Sequence, residues 1–397
     1  MKYEFDKVDD RKNTGSIKWD QIEKFYGRDD LIPLWIADMD FPVAKEIKQA
    51  VKDRADHEYY GYTGLRPSFI ESVVNRVWDK FQWKIEPEWV VVTPGVIPAL
   101  NTAIRSISHP GDNIIIQEPV YHLFFPTVRN SGCHIVSNPL KLVDGKYEMD
   151  LDHLKSLFED KLGHNPYYKP IKALLLCSPH NPIGRVWSKE ELEEVGKIAL
   201  EKNLTVIVDE IHSELLYNGE KHTSFGSISK KFEQNSIVCF SGTKTFNLAG
   251  LHVGVAIIPN KKLRKDFIST MDGIVPEPSI FALTALEAGF KYGDEWLEQV
   301  MEYLQSNLEF LYEYCEDIPG IIPIKAQGTY LIWLDCRDLG LDHNQLNDFL
   351  INKARVALEN GTLFGKGGEG FMRINIATPR SLLEEGLKRI KEAVNQL

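Results

Sequence analysis

Between about residues 45 and 285, short apolar runs alternate with stretches of helical periodicity, and this alternation constrains the fold more than any other feature of the chain. Strands are predicted at 89–93, 113–117, 134–138, 173–177, 205–208, 237–240 and 253–258. Helices are predicted at 44–56, 67–81, 96–108, 123–131, 189–203 and 261–271. The strand runs are short and mainly apolar, as expected when both faces of a strand are covered. Such an order predicts an α/β architecture, with a mainly parallel seven-stranded sheet between layers of helices.

After Phe281 the pattern changes. Helical stretches at 281–292 and 294–317 precede strands near 329–334, 356–358 and 371–376, with further helices near 343–354 and 379–396. Two domains are expected: a large one over 45–285, and a smaller α+β one including 286–397. The chain has 397 residues, enough for a large core without disulfide or metal staples. Its net charge of −11 argues against general affinity for nucleic acid or anionic membrane. The five cysteines are odd in number, widely spaced and without a C-x-x-C pair, so they read as small core residues in a reducing compartment. The first residues, Met1 to Lys7, lack the apolar core of a signal peptide, and no stretch approaches spanning length. A cytoplasmic protein is expected.

Ligands of open α/β sheets collect outside the carboxyl ends of the strands. Three such ends are polar here. The 173–177 run leads into Ser178-Pro179-His180-Asn181-Pro182-Ile183-Gly184, ahead of a helix opened by the capping box Ser188…Glu191. The 205–208 run leads into Asp209-Glu210-Ile211-His212. Between the 237–240 and 253–258 runs lies Ser241-Gly242-Thr243-Lys244-Thr245-Phe246-Asn247-Leu248-Ala249-Gly250. A lysine lodged between core strands is paired, depressed in pKa or covalently used, unless its head snorkels to water. Asp209 read alone also fits a helix cap, and Asn181-Pro182 a simple turn. Together, an amide, a carboxylate and an amine suit pyridoxal 5′-phosphate. That cofactor takes a lysine for its aldehyde, an acid for its ring nitrogen and a donor for its phenolic oxygen.

The order Asn181-Pro182-x-Gly184, Asp209-x-x-His212 and Ser241-x-x-Lys244 resembles the fold-type I, class I/II aminotransferase-like enzymes, and the likeness covers nearly the whole chain. Within them it is most similar to the cystathionine β-lyase or cysteine C–S lyase branch (the MalY/PatB type). Pro33-Leu34-Trp35-Ile36-Ala37-Asp38-Met39-Asp40-Phe41-Pro42 and Asp209-Glu210-Ile211-His212 carry that second likeness. The resemblance adds residues 1–44 to the smaller domain. It implies Lys244 as the cofactor lysine and proton carrier, Asp209 at the ring nitrogen, and Asn181 and His212 at the phenolic oxygen.

Tyr121 would stack on the ring and Arg373 would bind the substrate α-carboxylate, with Asn181, Trp35 and Asp38 as further substrate contacts. Backbone N–H groups of Gly95, Val96 and Ile97, opening a helix, would hold the phosphate with the Ser241 and Thr243 hydroxyls. Tyr62 would reach the phosphate of a second subunit, which implies a homodimer with shared sites. One departure stands out: His252 occupies the place, eight residues beyond the lysine, where transaminases often carry an arginine.

The activity implied is β-elimination from cystathionine or a related S-substituted cysteine, a step in amino-acid metabolism such as methionine biosynthesis. The runner-up is a class I/II aminotransferase on the same scaffold. A third reading, from another class, is a regulator that retains the fold. Other motifs fail on context. Gly365-Lys366-Gly367-Gly368-Glu369-Gly370 leads into a strand where a dinucleotide loop would lead out of one. Gly242-Thr243-Lys244-Thr245 lacks the P-loop order. His57-Glu58 lacks a second histidine, and no metal site is expected.

Overall fold

A computed structural model describes residues 2–159 and 169–397; Met1 and residues 160–168, which fall within the two expected domain spans, lie outside the described residues. Seven strands form the large sheet: β1 (Val90–Thr93), β2 (Asn113–Ile116), β3 (His134–Ser137), β4 (Ile171–Cys177), β5 (Thr205–Asp209), β6 (Ser236–Phe240) and β7 (Gly254–Ile257). Their spatial order is β1-β7-β6-β5-β4-β2-β3. Pairings among β2 to β6 are all parallel. Only β7 runs the other way, antiparallel to both β1 and β6. The sheet is therefore mixed, through one reversed strand.

Side-chain alternation along these strands feeds two separate cores. Leu174, Leu176, Val206, Val208, Val238 and Phe240 point into one. Ala173, Leu175, Cys177, Ile207, Ile237 and Cys239 point into the other. Helices Pro67–Phe81, Lys189–Glu201 and Ile280–Tyr292 cover the first face, and Val96–Ile107 and Lys261–Met271 the second. Each fully buried Leu, Ile or Val contributes roughly 1.5–3 kcal/mol. Two-sided burial is why the central strands β4 to β6 read as largely apolar runs, unlike the edge strand β3, which is only partly buried.

A second sheet holds β8 (Ile322–Pro323), β9 (Leu331–Asp335), β10 (Glu359–Asn360) and β11 (Phe371–Asn375) in the antiparallel order β8-β9-β11-β10. The strand expected at 356–358 is two residues long. Val356–Ala357 pairs in parallel with Ile32–Pro33, tying the N-terminal segment to the C-terminal part of the chain. The expected 343–354 helix is α-helical only over His343–Asp348 and widens into a π turn, Phe349–Ala354, before Arg355 ends it with a positive φ. The hairpin Lys141–Val143/Lys146–Glu148 and helix Leu151–Ser156 were not anticipated. No helix among the described residues is long and apolar enough to cross a membrane. All five cysteines are buried free thiols.

Candidate active site

Because β7 is reversed, its first residue lies beside the last residue of β1 (Gly254 opposite Thr93), so both strand ends share the edge where β4, β5 and β6 finish. A cavity of about 430 Å3 opens there. Gly95, Val96 and Ile97 line it after β1, Tyr121 after β2, Cys177 at the end of β4 and Asn181 after it. Asp209 and His212 line it from β5, with Thr243 and Lys244 after β6 and His252 and Val253 before β7. Nine of the expected site residues thus meet in one place. Gly95 adopts φ +118, and a Cβ on Gly254 would come within 3.0 Å of the Gly95 carbonyl carbon. These two glycines let the start of the Val96–Ile107 helix sit against the cavity.

Lys244 Nζ donates to the Ala37 carbonyl at 2.5 Å, and Tyr330 Oη donates to the same oxygen at 3.1 Å. Burial lowers the lysine to about 8, with Asp38 pulling the other way. Asp209 Oδ1 accepts the Ile211 amide at 3.1 Å, and burial pushes this carboxyl up to about 7. His212 is held near 3 by burial and by the Lys244 and Arg373 charges, so its imidazole is neutral; its buried Nδ1 has no partner. A high-pKa carboxyl, a low-pKa amine and an unpartnered ring nitrogen facing one cavity mark groups whose complement is a ligand. This donor and acceptor set fits pyridoxal phosphate: an N–H for Asp209, an aldehyde for Lys244, and an anion at the helix start.

Arg373, mid-strand in β11, is wholly buried. Nη1 donates to Asn181 Oδ1 at 3.0 Å, and Nη2 to the Trp35 carbonyl at 3.1 Å and to Glu359 Oε2 at 3.1 Å. Asn181 thereby bridges the lysine end of the site and the arginine.

Three expected residues are placed differently. The Ser241 hydroxyl donates to the Val253 carbonyl at 2.7 Å and accepts the Thr243 amide at 3.1 Å, behind the cavity wall, because the turn after β6 folds its side chain inward. The Trp35 indole donates to the Lys18 carbonyl and packs on Phe25 and Tyr26; only its carbonyl faces the arginine. Asp38 pairs with Arg11 at 3.0 Å and does not line the cavity. Tyr62, expected to serve a second subunit, is fully exposed and does not line its own chain's cavity.

Sequence reasoning missed Ala37, Tyr330 and Glu359. Ala37 acts through its carbonyl, which no residue type advertises. Tyr330 and Glu359 could have been found as polar groups inside apolar stretches. Among the described residues, no group of acidic, His and Cys side chains could hold a metal ion.

Comparison with known proteins identifies the family. The family described as aminotransferase class I and II matches residues 29–390. Cystathionine beta-lyase PatB of Bacillus subtilis is 38% identical over 98% of this chain and 100% of its own, and Protein MalY of Escherichia coli is 31% identical over 99% of each. Among solved structures, PLP-bound putative aminotransferase from Clostridium difficile superposes with a TM-score of 0.95 at 42% identity, covering 99% of this chain and 100% of that one. Cystalysin from Treponema denticola, described as containing pyridoxal 5′-phosphate, gives 0.94 at 36% identity over the full length of both. The fold is that of the fold-type I, aminotransferase-like enzymes, and this chain belongs to the class I and II aminotransferase family.

Proposed function

We propose that this protein is a pyridoxal-phosphate-dependent carbon–sulfur β-lyase that cleaves cystathionine or related S-substituted L-cysteines to thiol, pyruvate and ammonia. The observation that carries the reading is the single cavity uniting Lys244, Asp209 and Asn181 in a chain whose full-length relative, 38% identical, bears a cystathionine β-lyase name. When bound, pyridoxal phosphate supplies an aldehyde for the substrate amine and a ring that withdraws electrons from the substrate Cα.

Lys244 Nζ would hold that aldehyde and, once released by the substrate amine, would take the proton from Cα; an amine titrating near 8 is partly neutral at pH 7. Asp209 would keep a proton on the ring nitrogen. Asn181, whose Oδ1 accepts from Arg373, has its Nδ2 left to donate to the phenolic oxygen, with His212 beside it. Tyr121 offers the ring a flat aromatic face. Backbone N–H groups of Gly95, Val96 and Ile97 and the Thr243 hydroxyl would hold the phosphate, with Ser241 orienting Thr243. Arg373 receives the α-carboxylate, and the segment holding Trp35 and Asp38 shapes that end of the site through its backbone.

Transamination is the second reading, favoured by the aminotransferase name of the 42% identical structure. The purified protein supplied with cystathionine, cystine and S-alkyl cysteines should release pyruvate and thiol in equal amounts with no keto acid added. Dependence on an added keto acid, with a new amino acid formed, assigns transamination.

The reading extends to the assembly. Residues 45–285 form the cofactor domain, with 1–44 and 286–397 as the smaller one, in a cytoplasmic homodimer whose sites are completed by Tyr62 of the other subunit. The support is Tyr62, exposed along with Tyr59, Tyr60 and Leu65 on one segment. Refolding Tyr62→Phe together with Lys244→Ala should rebuild one intact site per hybrid dimer and recover part of the activity. Hybrid dimers that stay inactive remove Tyr62 from the neighbouring site.

A further inference from the structure

The Arg373 guanidinium is paired before any substrate arrives. The register of β10 on β11 sets Glu359 directly opposite it. Glu359 Oε2 and Arg373 Nη2 are 3.1 Å apart, with both side chains almost wholly inside the protein. The remaining contacts are neutral: the Trp35 carbonyl, Asn181 Oδ1, and the Phe364 ring 5.0 Å from the guanidinium carbon. Arg373 Nε is buried without a partner. Burial raises the Glu359 carboxyl and Arg373 opposes that shift, as expected for a counter-ion in a dry site.

We infer that Glu359 is a positioning residue that fixes Arg373 for the substrate α-carboxylate and, by competing for the guanidinium, sets how tightly that carboxylate binds. This rests on the reading of Arg373 as the carboxylate-binding group. A buried arginine lacking a counter-charge is strongly unfavourable, so the pair keeps the guanidinium charged and in plane. A ligand carboxylate reaching the same guanidinium brings a second anion close to Glu359. Like charges in a water-poor site repel, and part of the attraction of Arg373 is offset in advance. An amide at 359 still accepts from Nη2 but no longer repels the ligand.

The test uses the holoenzyme and two probes. Glycine carries an α-carboxylate and no group to eliminate, and glycinamide replaces the carboxylate by a neutral amide. Dissociation constants come from titrating the cofactor's visible absorption. Glu359→Gln should tighten glycine by about tenfold, the size of a one-unit charge interaction, and leave glycinamide unchanged. Glu359→Met, neutral and of similar length, carries the same expectation if the amide variant does not fold. Glu359→Asp, which keeps the charge, should stay within about twofold of wild type for glycine. Glycine binding that is unchanged or weaker in the neutral variants, or an equal change for both probes, overturns the inference. Arg373→Lys separates the underlying reading: if it leaves the preference for glycine over glycinamide intact, Arg373 itself is not the carboxylate site.

Discussion

The two ends of the cavity handle polar groups in opposite ways. At the lysine end, Asp209 ends β5 and Lys244 lies in the turn after β6, both with few protein partners, and burial drives them toward each other, to about 7 and about 8. At the arginine end, Arg373 sits mid-strand with an amide, a carbonyl and a carboxylate already in place. The first arrangement keeps protons easy to move; the second keeps a charge fixed in position. Bond-breaking chemistry needs groups poised near the working pH, whereas recognition of a carboxylate needs a donor that does not reorient. The position of a residue along its strand decides which of these it can do.

Substitutions at each end can break that contrast. The largest effect is expected at the lysine end. Lys244→Ala should reduce kcat by at least about 10⁴-fold and Asp209→Ala by about 10²–10⁴-fold, within the range for loss of a proton carrier and of its electrostatic partner. Steady-state pyruvate release measures both, and near-normal turnover in Asp209→Ala would reduce that carboxylate to a structural part. At the arginine end, Arg373→Lys should act mainly on KM. A bidentate fork becomes a point charge beside Glu359, and a rise in KM of about 10–100-fold with a smaller change in kcat is expected. A loss confined to kcat would place the arginine among the proton-handling groups and erase the contrast.

The smallest effect concerns stability of the cofactor-free protein. The folded-state pKa of Asp209 lies above its unfolded value of 3.8, so the folded state binds more protons between pH 3.8 and about 7. This group's contribution to stability is therefore fully present below pH 3.8 and is lost as pH rises through 7. Asp209→Asn, which cannot ionise, should melt about 2–4 °C higher than wild type at pH 8 and show no gain at pH 4. Thermal denaturation at the two pH values checks it. An equal shift at both would trace the effect to packing.

Much of the fold was legible because two-sided burial leaves a continuous apolar run. The strand predicted at 237–240 is observed at Ser236–Phe240, and that predicted at 205–208 ends one residue later at Asp209. The chemistry at the lysine end was legible for the same reason, since polar residues directly after such runs must lie at the sheet edge. The arginine end was less so. Its partner strand, Glu359–Asn360, is two residues long, too short for any periodic signal, and pairs across the turn and loop of residues 361–370 with Arg373 opposite Glu359. The reversed direction of β7 was equally hidden, because direction depends on a connection passing over the edge and not on the strand's own composition.

The sequence by itself determined the two-faced sheet, the strand ends that carry Asn181, Asp209 and Lys244, and the glycine at the start of the Val96–Ile107 helix. Local periodicity and backbone preference act over a few residues and need no distant partner. Only the tertiary structure decided that segment 35–38 serves through carbonyls, that Ser241 turns inward to Val253, and that Glu359 faces Arg373. Those are pairings between groups far apart in the chain. They exist because a buried donor or charge must find a complement wherever the packed fold happens to bring one.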